Sequence, residues 1–565
     1  MKEHRSIIIL ITIILEIIGA ARIDQTIDLK RRKFEDEMMD RKMHDDFIMK
    51  RESRKFGDEV YPENPNTGVW FDHETDNSFW YEDAQIVLKK KLQRSLNTGV
   101  AKNVIVFLGD GMSIPTLMAT RTYLGQLEGK PGEEGSLYWE HFPYTGLSKT
   151  WCLDKQVPDS ACTSTAYLGG VKTKSGTIGL NGNVVRGKCE TQIKENHVDS
   201  IAQWAQDHGK GTGIVTTTRI THASPGGAYA HVAERHWESD SDVIIGGYDP
   251  KECDDIAKQL VRSSPGNNFK VVLGGGRRSF LPKEIIDEEG DAGVRSDGKN
   301  LIDEWKKDKM ERNGRPIYLW NRTSLHEIID YPEKYDHVLG LFESSHCHYH
   351  LEGSPETEPT LAEMTEAAIR VLQKDENGFF LFVEGGRIDH AHHNTFATLA
   401  LDETVELAKA VEKATELTSE KDTLIITTSD HAHTMSVSGY PKRGNPINDI
   451  VGKMAKDDIP YATLTYANGP GYRPPNQDGS RYDPSEGDFE NPRHMSPALA
   501  PLDSETHGGD DVAIFANGPW AHLFTGTIQQ SNIPHFIGFA SCIGKGESDA
   551  CKLNRRFASK LPKFH

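Results

Sequence analysis

Residues 157–167 read VPDSACTSTAY, with an acid, Asp159, directly before the first of four hydroxyl side chains, Ser160. A serine hydroxyl is a poor nucleophile at its ordinary pKa. The Gly-x-Ser-x-Gly elbow of a triad hydrolase is missing around Ser160, so activation must come from elsewhere in the chain. The chain offers histidines and carboxylates in short clusters. They are Asp110 in GDG; His222 and Ser224 in RITHASPGG; Arg235; Glu384, Asp389, His390, His392 and His393 in VEGGRIDHAHH; Asp430, His431 and His433 in SDHAH; and His507 in ETHGG. Singly, each has a plain reading: an Asp after a strand caps a helix, and a His beside Gly-Gly sits on a surface. Jointly they are the donors that zinc takes, imidazole nitrogen and carboxylate oxygen. Asp389 and His393 stand four apart, on one face of a helix, where they can grip one ion. Asp430 and His431 are adjacent where a strand turns. Asp110 lies between two glycines, which lets the backbone approach closely and leaves its carboxylate free to bridge. With Glu384, this inventory serves two zinc-type sites and one oxygen-rich site suited to magnesium, the equipment of a two-metal hydrolase.

Such residues need strand ends to hold them. Residues 103–108, NVIVFL, form an apolar, β-branched run closed by Gly-Asp-Gly, which predicts a buried parallel strand and a tight loop. The pattern recurs in GTGIVTTTRITH, FKVVLGGGRR, GFFLFVEGGRIDH and TLIITTSDHAH. The third of these predicts a long helix to about residue 417. Strands alternating with helices predict an α/β fold with a doubly wound, mainly parallel central sheet flanked by helices, where function gathers at the carboxyl ends of strands. Residues 83–96 have helical spacing and predict an outer helix. Residues 437–505, rich in Pro, Gly, Asn and Asp, read as a small insertion.

The chain has 565 residues, 36% hydrophobic and 26% charged, with a net charge of −19. That balance excludes a phosphate-backbone binder and so argues against nucleic acid, while local cations can still hold a small anion. Residues 1–21 carry a basic start, an apolar run and a small-residue Gly-Ala-Ala end, which predicts a secretory signal, although Glu16 interrupts the apolar run. Residues 22–60 are a block of mixed charge, expected to be disordered or loosely helical. The catalytic domain is expected over 61–551. The basic tail 552–565 lacks the hydrophobic stretch of a lipid-anchor signal. The expected protein is therefore secreted, with peripheral membrane association left open. Seven cysteines suit an oxidising compartment. Cys542 and Cys551 are close enough to staple a terminal loop, Cys189 and Cys253 flank a long segment, and Cys152, Cys162 and Cys347 are not paired by sequence alone. Asn321, in Asn-Arg-Thr, is a glycosylation acceptor.

The segments FLGDGM, PDSACTSTAY, TTTRITHASPGGAYAHVAER, FVEGGRIDHAHH, TTSDHAH and ETHGGDDV together resemble alkaline phosphatases of the animal secreted or membrane-associated type. The resemblance runs over roughly residues 61–551. It implies a phosphate monoester hydrolase with an alkaline optimum and a phosphoserine intermediate at Ser160. One zinc site would comprise Asp389, His393 and His507, and a second Asp110, Asp430 and His431 with Ser160. Magnesium would be held by Asp110, Ser224 and Glu384, with His222 beside it. Arg235 would bind phosphate, with Asp159 holding it in place, and His390 and His433 would stand behind the ligands. The resemblance also implies a calcium site at the Phe342 carbonyl, Glu343, Glu358 and an acid of KEIIDEE, assigned here to Glu284. It pairs Cys189 with Cys253 and Cys542 with Cys551. It makes residues 437–505 a crown over a homodimer interface, and the helix of residues 83–96 an arm around the second subunit. Rival readings are a phosphodiesterase, pyrophosphatase or sulfatase on the same scaffold, or a silent binding homologue; the nucleophile segment, Arg235 and the Ser224–Glu384 pair favour the monoesterase.

Overall fold

The structure is a computed structural model that describes residues 73–544. The signal, the charged block 22–60, Cys551 and the tail 552–565 lie outside the described residues. The chain divides into two compact units, one through Lys89 and one from Lys90. The described part of the first is a short turn, His73–Thr75, leading into a helix, Asn77–Leu92, that buries none of its residues. That helix starts earlier and ends earlier than its spacing predicted.

The second unit is built on a ten-stranded sheet. Its strands include β1 (Asn103–Gly109), β2 (Tyr144–Lys149), β3 (Gly211–Arg219), β4 (Val271–Gly275), β5 (Pro316–Leu319), β6 (His337–Leu341), β7 (Phe379–Gly385) and β8 (Thr423–Ser429). From β8 the order runs β1, β7, β3, β4, β6, β5, all parallel. On the other side of β8, the strand Val512–Asn517 runs antiparallel to both β8 and β2.

The continuous apolar runs have a physical cause. Along β1, Val104, Val106 and Leu108 enter one hydrophobic cluster while Ile105 and Phe107 enter another. Phe380 and Phe382 against Phe379, Leu381 and Val383 divide in the same way along β7. Both faces of the sheet are therefore covered, and no polar alternation survives in the sequence. Burying each such side chain contributes about 1.5–3 kcal/mol, which makes this sheet the rigid frame of the site.

The helix after β7 is broken. Arg387–His393 ends at Asn394, and Ala397–Leu417 begins three residues later. Thr395 between them takes φ +56. The N–H of Thr395 bonds the His392 carbonyl at 2.8 Å and that of Phe396 bonds Ala391 at 2.9 Å, closing the first helix. The periodicity continues through the break, so sequence spacing read one helix. The inserted region holds a hairpin, Ile450–Met454 with Pro460–Ala462, and a strand, Leu464–Gly469, between Met435–Val437 and Ala498–Pro501.

Cys189 pairs with Cys253, and Cys152 with Cys162, while Cys347 is a buried free thiol. Cys542 is disulfide-bonded, and Cys551, its expected partner, lies outside the described residues. Asn321 caps the helix Arg322–Asp330, its carboxamide oxygen accepting from the Ser324 N–H at 2.9 Å.

Candidate active site

Most of the predicted clusters sit at the carboxyl end of a parallel strand or in the loop that follows one; His507 instead lies in a two-residue strand, His507–Gly508, antiparallel to Ala432–His433, and Ser160 lies beyond the end of β2. Ser160 opens the helix Ser160–Gly169, all of whose residues are buried. Asp159 caps that helix by accepting from the Cys162 N–H at 3.3 Å, and the helix ends on Gly170, whose φ of +75 suits a residue without a Cβ. The N-terminal end of such a helix is favourable for a phosphate. Ser160 Oγ lies 3.2 Å from His431 Nε2.

Arg235 stands beside it. Its guanidinium donates to Asp159 Oδ2 at 3.1 Å, and its other terminal nitrogen lies 3.3 Å from His222 Nε2. Asp159 also accepts from the Gly176 N–H at 3.0 Å. Burial would raise the Asp159 carboxyl, but Arg235 and these backbone donors hold it below the ordinary range.

The metal-type donors gather in two adjoining groups. Asp389, His393, His433 and His507 bring ligand atoms within 4.8 Å of one another, as do Asp110, Asp430 and His431. His507 Nε2 is 3.1 Å from His393 Nε2 and 3.3 Å from Asp389 Oδ1. Ser224 Oγ donates to Asp110 Oδ2 at 3.4 Å. Burial and the neighbouring Asp430, Asp389 and Glu384 push Asp110 well above the usual carboxylate range. Glu384 is pushed up to about 7, mainly by burial. Burial lowers His431 well below 6.5, so its imidazole is neutral and keeps a lone pair.

Two buried oxygens test whether these residues suit a metal. Asp110 Oδ1 and Glu384 Oε1 have no hydrogen-bond partner. Burying crowded carboxylates with orphaned oxygens costs free energy unless a cation joins them. The donor set therefore fits divalent ions.

Supporting groups join the site that the sequence did not single out. Glu505 holds His433 Nδ1 at 2.5 Å through its carboxylate, and its carbonyl lies 2.5 Å from His393 Nδ1. Against burial, Glu505 and Asp389 raise His433 to about 10. Thr216 donates to Glu384 Oε2 at 2.5 Å and Thr218 at 3.2 Å. Thr163 Oγ1 donates to Asp430 Oδ2 at 3.2 Å, so it touches the site instead of serving the helix alone. His346 joins His222 and His390 in a further group of imidazoles. Burial pushes His390 down to about 3.

The calcium ligands expected from the resemblance are only partly brought together. Glu343 and Glu358 meet, with His348 between them. Glu284 is exposed and does not belong to that group.

Comparison with known proteins supplies the family and the fold. The family model for alkaline phosphatase matches residues 101–543. A membrane-bound alkaline phosphatase of Bombyx mori is 50% identical over 479 residues, covering 84% of this chain and 86% of the relative. An alkaline phosphatase of Gadus morhua is 44% identical, covering 84% of this chain and 99% of the relative. The tissue-nonspecific isozyme of Homo sapiens is 44% identical, covering 83% and 90%. Among solved structures, alkaline phosphatase from Thermus thermophilus superposes with TM-score 0.56 at 19% identity, covering 88% of this chain and all (100%) of that one. The enzyme of the Antarctic bacterium TAB5 gives 0.53 at 20% identity, covering 79% and 99%. These two likenesses speak for the fold. The chain belongs to the alkaline phosphatase family, hydrolases of phosphate monoesters.

Proposed function

We propose that Ser160 is the nucleophile of phosphate monoester hydrolysis and carries the phosphoryl group as a phosphoserine. The observation that carries this reading is the placement of Ser160 Oγ. It sits at a buried helix N-terminus, 3.2 Å from His431 and beside the Arg235–Asp159 pair.

Zinc would be held by Asp389, His393 and His507, and by Asp110, Asp430 and His431 with Ser160; magnesium would be held by Asp110, Ser224 and Glu384. Divalent ions in these places supply Lewis acidity, which lowers the pKa of a neighbouring hydroxyl and offsets charge on phosphate oxygens. The chain's own part is positioning. Arg235, fixed by Asp159 on one edge, presents its remaining N–H groups to two phosphate oxygens, a planar fork that Lys cannot copy. The helix N-terminus faces the same oxygens. Ser160 Oγ gives up its proton to solvent and attacks phosphorus in line; the Oγ–P bond forms as the ester P–O bond breaks, and the alcohol leaves with a proton from solvent. Water then attacks phosphorus from the face the alcohol has left, opposite Ser160 Oγ; the Oγ–P bond breaks, Oγ takes back a proton, and phosphate is released after two inversions, with configuration retained. An alkaline optimum fits the deprotonations this sequence requires.

The reading extends to a secreted homodimer glycosylated at Asn321. The name of the Bombyx mori relative, a membrane-bound enzyme, supports surface association as well. Among the described residues, no helix is long and apolar enough to cross a membrane.

The test is covalent trapping. Acid quenching with labelled inorganic phosphate should yield labelled Ser160 in the wild type and none in Ser160→Ala. Equal labelling of the variant would refute the assignment.

A further inference from the structure

Two cysteines that spacing alone does not pair close a ring beside the nucleophile. The disulfide Cys152–Cys162 joins the turn after β2 to the first turn of the helix Ser160–Gly169. Both cysteines are buried. Between them run exposed residues 153–157, then Pro158, Asp159 and Ser160.

Each of these last three residues serves the site. Pro158 presents its carbonyl to His507, whose Nδ1–H donates to it at 2.7 Å. That bond fixes the tautomer, so Nε2 keeps its lone pair toward His393 and Asp389. Asp159 holds Arg235 at 3.1 Å. Ser160 follows directly. A shift of this short run would therefore disturb a metal-type ligand, the phosphate fork and the attacking oxygen together.

The chain leading into the run has little support of its own. The Lys155 carbonyl accepts the Cys152 N–H at 3.1 Å, which closes a tight turn. The Leu153 N–H donates to the Thr173 carbonyl at 3.0 Å, and Asp154 Oδ1 accepts the Ser175 N–H at 2.9 Å. Past Lys155 the support stops. Neither Gln156 nor Val157 makes a backbone hydrogen bond to another described residue. Fixing such residues costs conformational entropy that no ladder offsets here. The disulfide restricts them covalently, with Cys152 anchored by its turn and Cys162 by the helix.

We propose that the Cys152–Cys162 disulfide is a positioning element of the reaction. It fixes Pro158 and Asp159, so that His507 faces its fellow ligands and Arg235 faces the phosphate. The inference rests on the roles given above to Ser160, His507 and Arg235.

The experiment compares two disulfide deletions in the full-length, zinc-loaded protein: Cys152→Ala with Cys162→Ala, and Cys189→Ala with Cys253→Ala. Both should unfold at lower urea concentration. Only the first should change the site. Inorganic phosphate should inhibit it about fivefold more weakly, as loosening one charge-assisted hydrogen bond implies. Zinc should pass from it to a chelating dye about tenfold faster. Acid-quenched labelling of Ser160 should persist in it; a wrong nucleophile would show already in the wild type. Unchanged phosphate inhibition and zinc release in the first variant would overturn the inference. Equal changes in the second would do the same, because the disulfide would then brace only the fold. Should the first variant not fold, wild type is treated with a water-soluble phosphine. The phosphine takes the oxygen of one water, and its two hydrogens go to the sulfurs as the S–S bond breaks. Phosphate inhibition should weaken in proportion to alkylated Cys152 and Cys162, read by mass spectrometry; alkylation without weakening would overturn the proposal.

Discussion

Arg235 and Asp159 make opposed predictions that a double substitution separates. The Arg235 guanidinium holds Asp159 with one terminal nitrogen at 3.1 Å and has the other 3.3 Å from His222 Nε2, and each terminal nitrogen carries a second N–H for phosphate. Arg235→Ala removes two charge-assisted hydrogen bonds, each worth about 1.5–3 kcal/mol. The loss in kcat/KM should therefore be about 3–6 kcal/mol, or two to four powers of ten. Arg235→Lys keeps the charge without the fork and should lose about half of that on a logarithmic scale. Asp159→Asn alone loosens the fork but keeps the helix cap, since Asn caps as well as Asp; a loss of about 1 kcal/mol is expected.

The double variant should be more active than Arg235→Ala. Without Arg235, the Asp159 carboxylate keeps its backbone donors at Cys162 and Gly176 but has no counter-charge against the incoming phosphate. At about 5 Å and an effective dielectric of about 20, that repulsion is about 3 kcal/mol per unit charge before screening. Converting Asp159 to Asn in the Arg235→Ala background should therefore recover about tenfold in kcat/KM. The assay is steady-state hydrolysis of p-nitrophenyl phosphate with inorganic phosphate as competitive inhibitor. If the double variant were weaker than Arg235→Ala, Asp159 would have a role of its own at the reacting atoms. If phosphate inhibited Arg235→Ala as strongly as wild type, Arg235 would not bind it.

Other expectations follow from specific contacts. Thr216→Val removes the 2.5 Å bond to Glu384 and should weaken magnesium binding about 10–100-fold, read by titrating metal-depleted enzyme. Chelation should abolish activity and zinc should restore it; recovery with manganese alone would refute the zinc assignment. Replacing Cys152 by Ser opens a disulfide with a sequence separation of 10 and should lower unfolding stability by about 2–3 kcal/mol in urea titrations. His231, stacked on His197 and bonded to the Gly179 carbonyl, is pushed by burial from 6.5 to about 4. Its pKa is lower folded than unfolded, so the unfolded chain takes the proton first, and stability falls as pH drops from 6.5 toward 4. The loss is about 3 kcal/mol at most, and His231→Gln should flatten the stability profile over that window.

What could be read from the sequence divides along a physical line. The residues of the two metal-type groups could be picked out because their types are scarce and an apolar run announces each strand end: Asp110 follows FLG, Glu384 and Asp389 stand at the end of FFLFV, and Asp430 follows IITTS. The sheet was legible for the same reason, since both faces of β1 and β7 are covered and leave unbroken apolar stretches. The groups that support the ligands were not. Thr216, Thr218 and Thr163 read as ordinary strand or helix hydroxyls, and Glu505 reads as a loop acid until the fold sets it against His433 from 72 positions away. Their meaning lies wholly in a long-range contact, which residue type and local spacing do not encode. The helix break at Thr395 escaped for a related reason, because periodicity continues through a turn that only backbone hydrogen bonds define. His348 is the sharpest case. In sequence it is one of three histidines alternating in HCHYH, and nothing in that spacing singles it out. Only the fold brings Glu343 and Glu358 onto its ring nitrogen, at 3.1 and 2.9 Å, where their charges raise its pKa against burial.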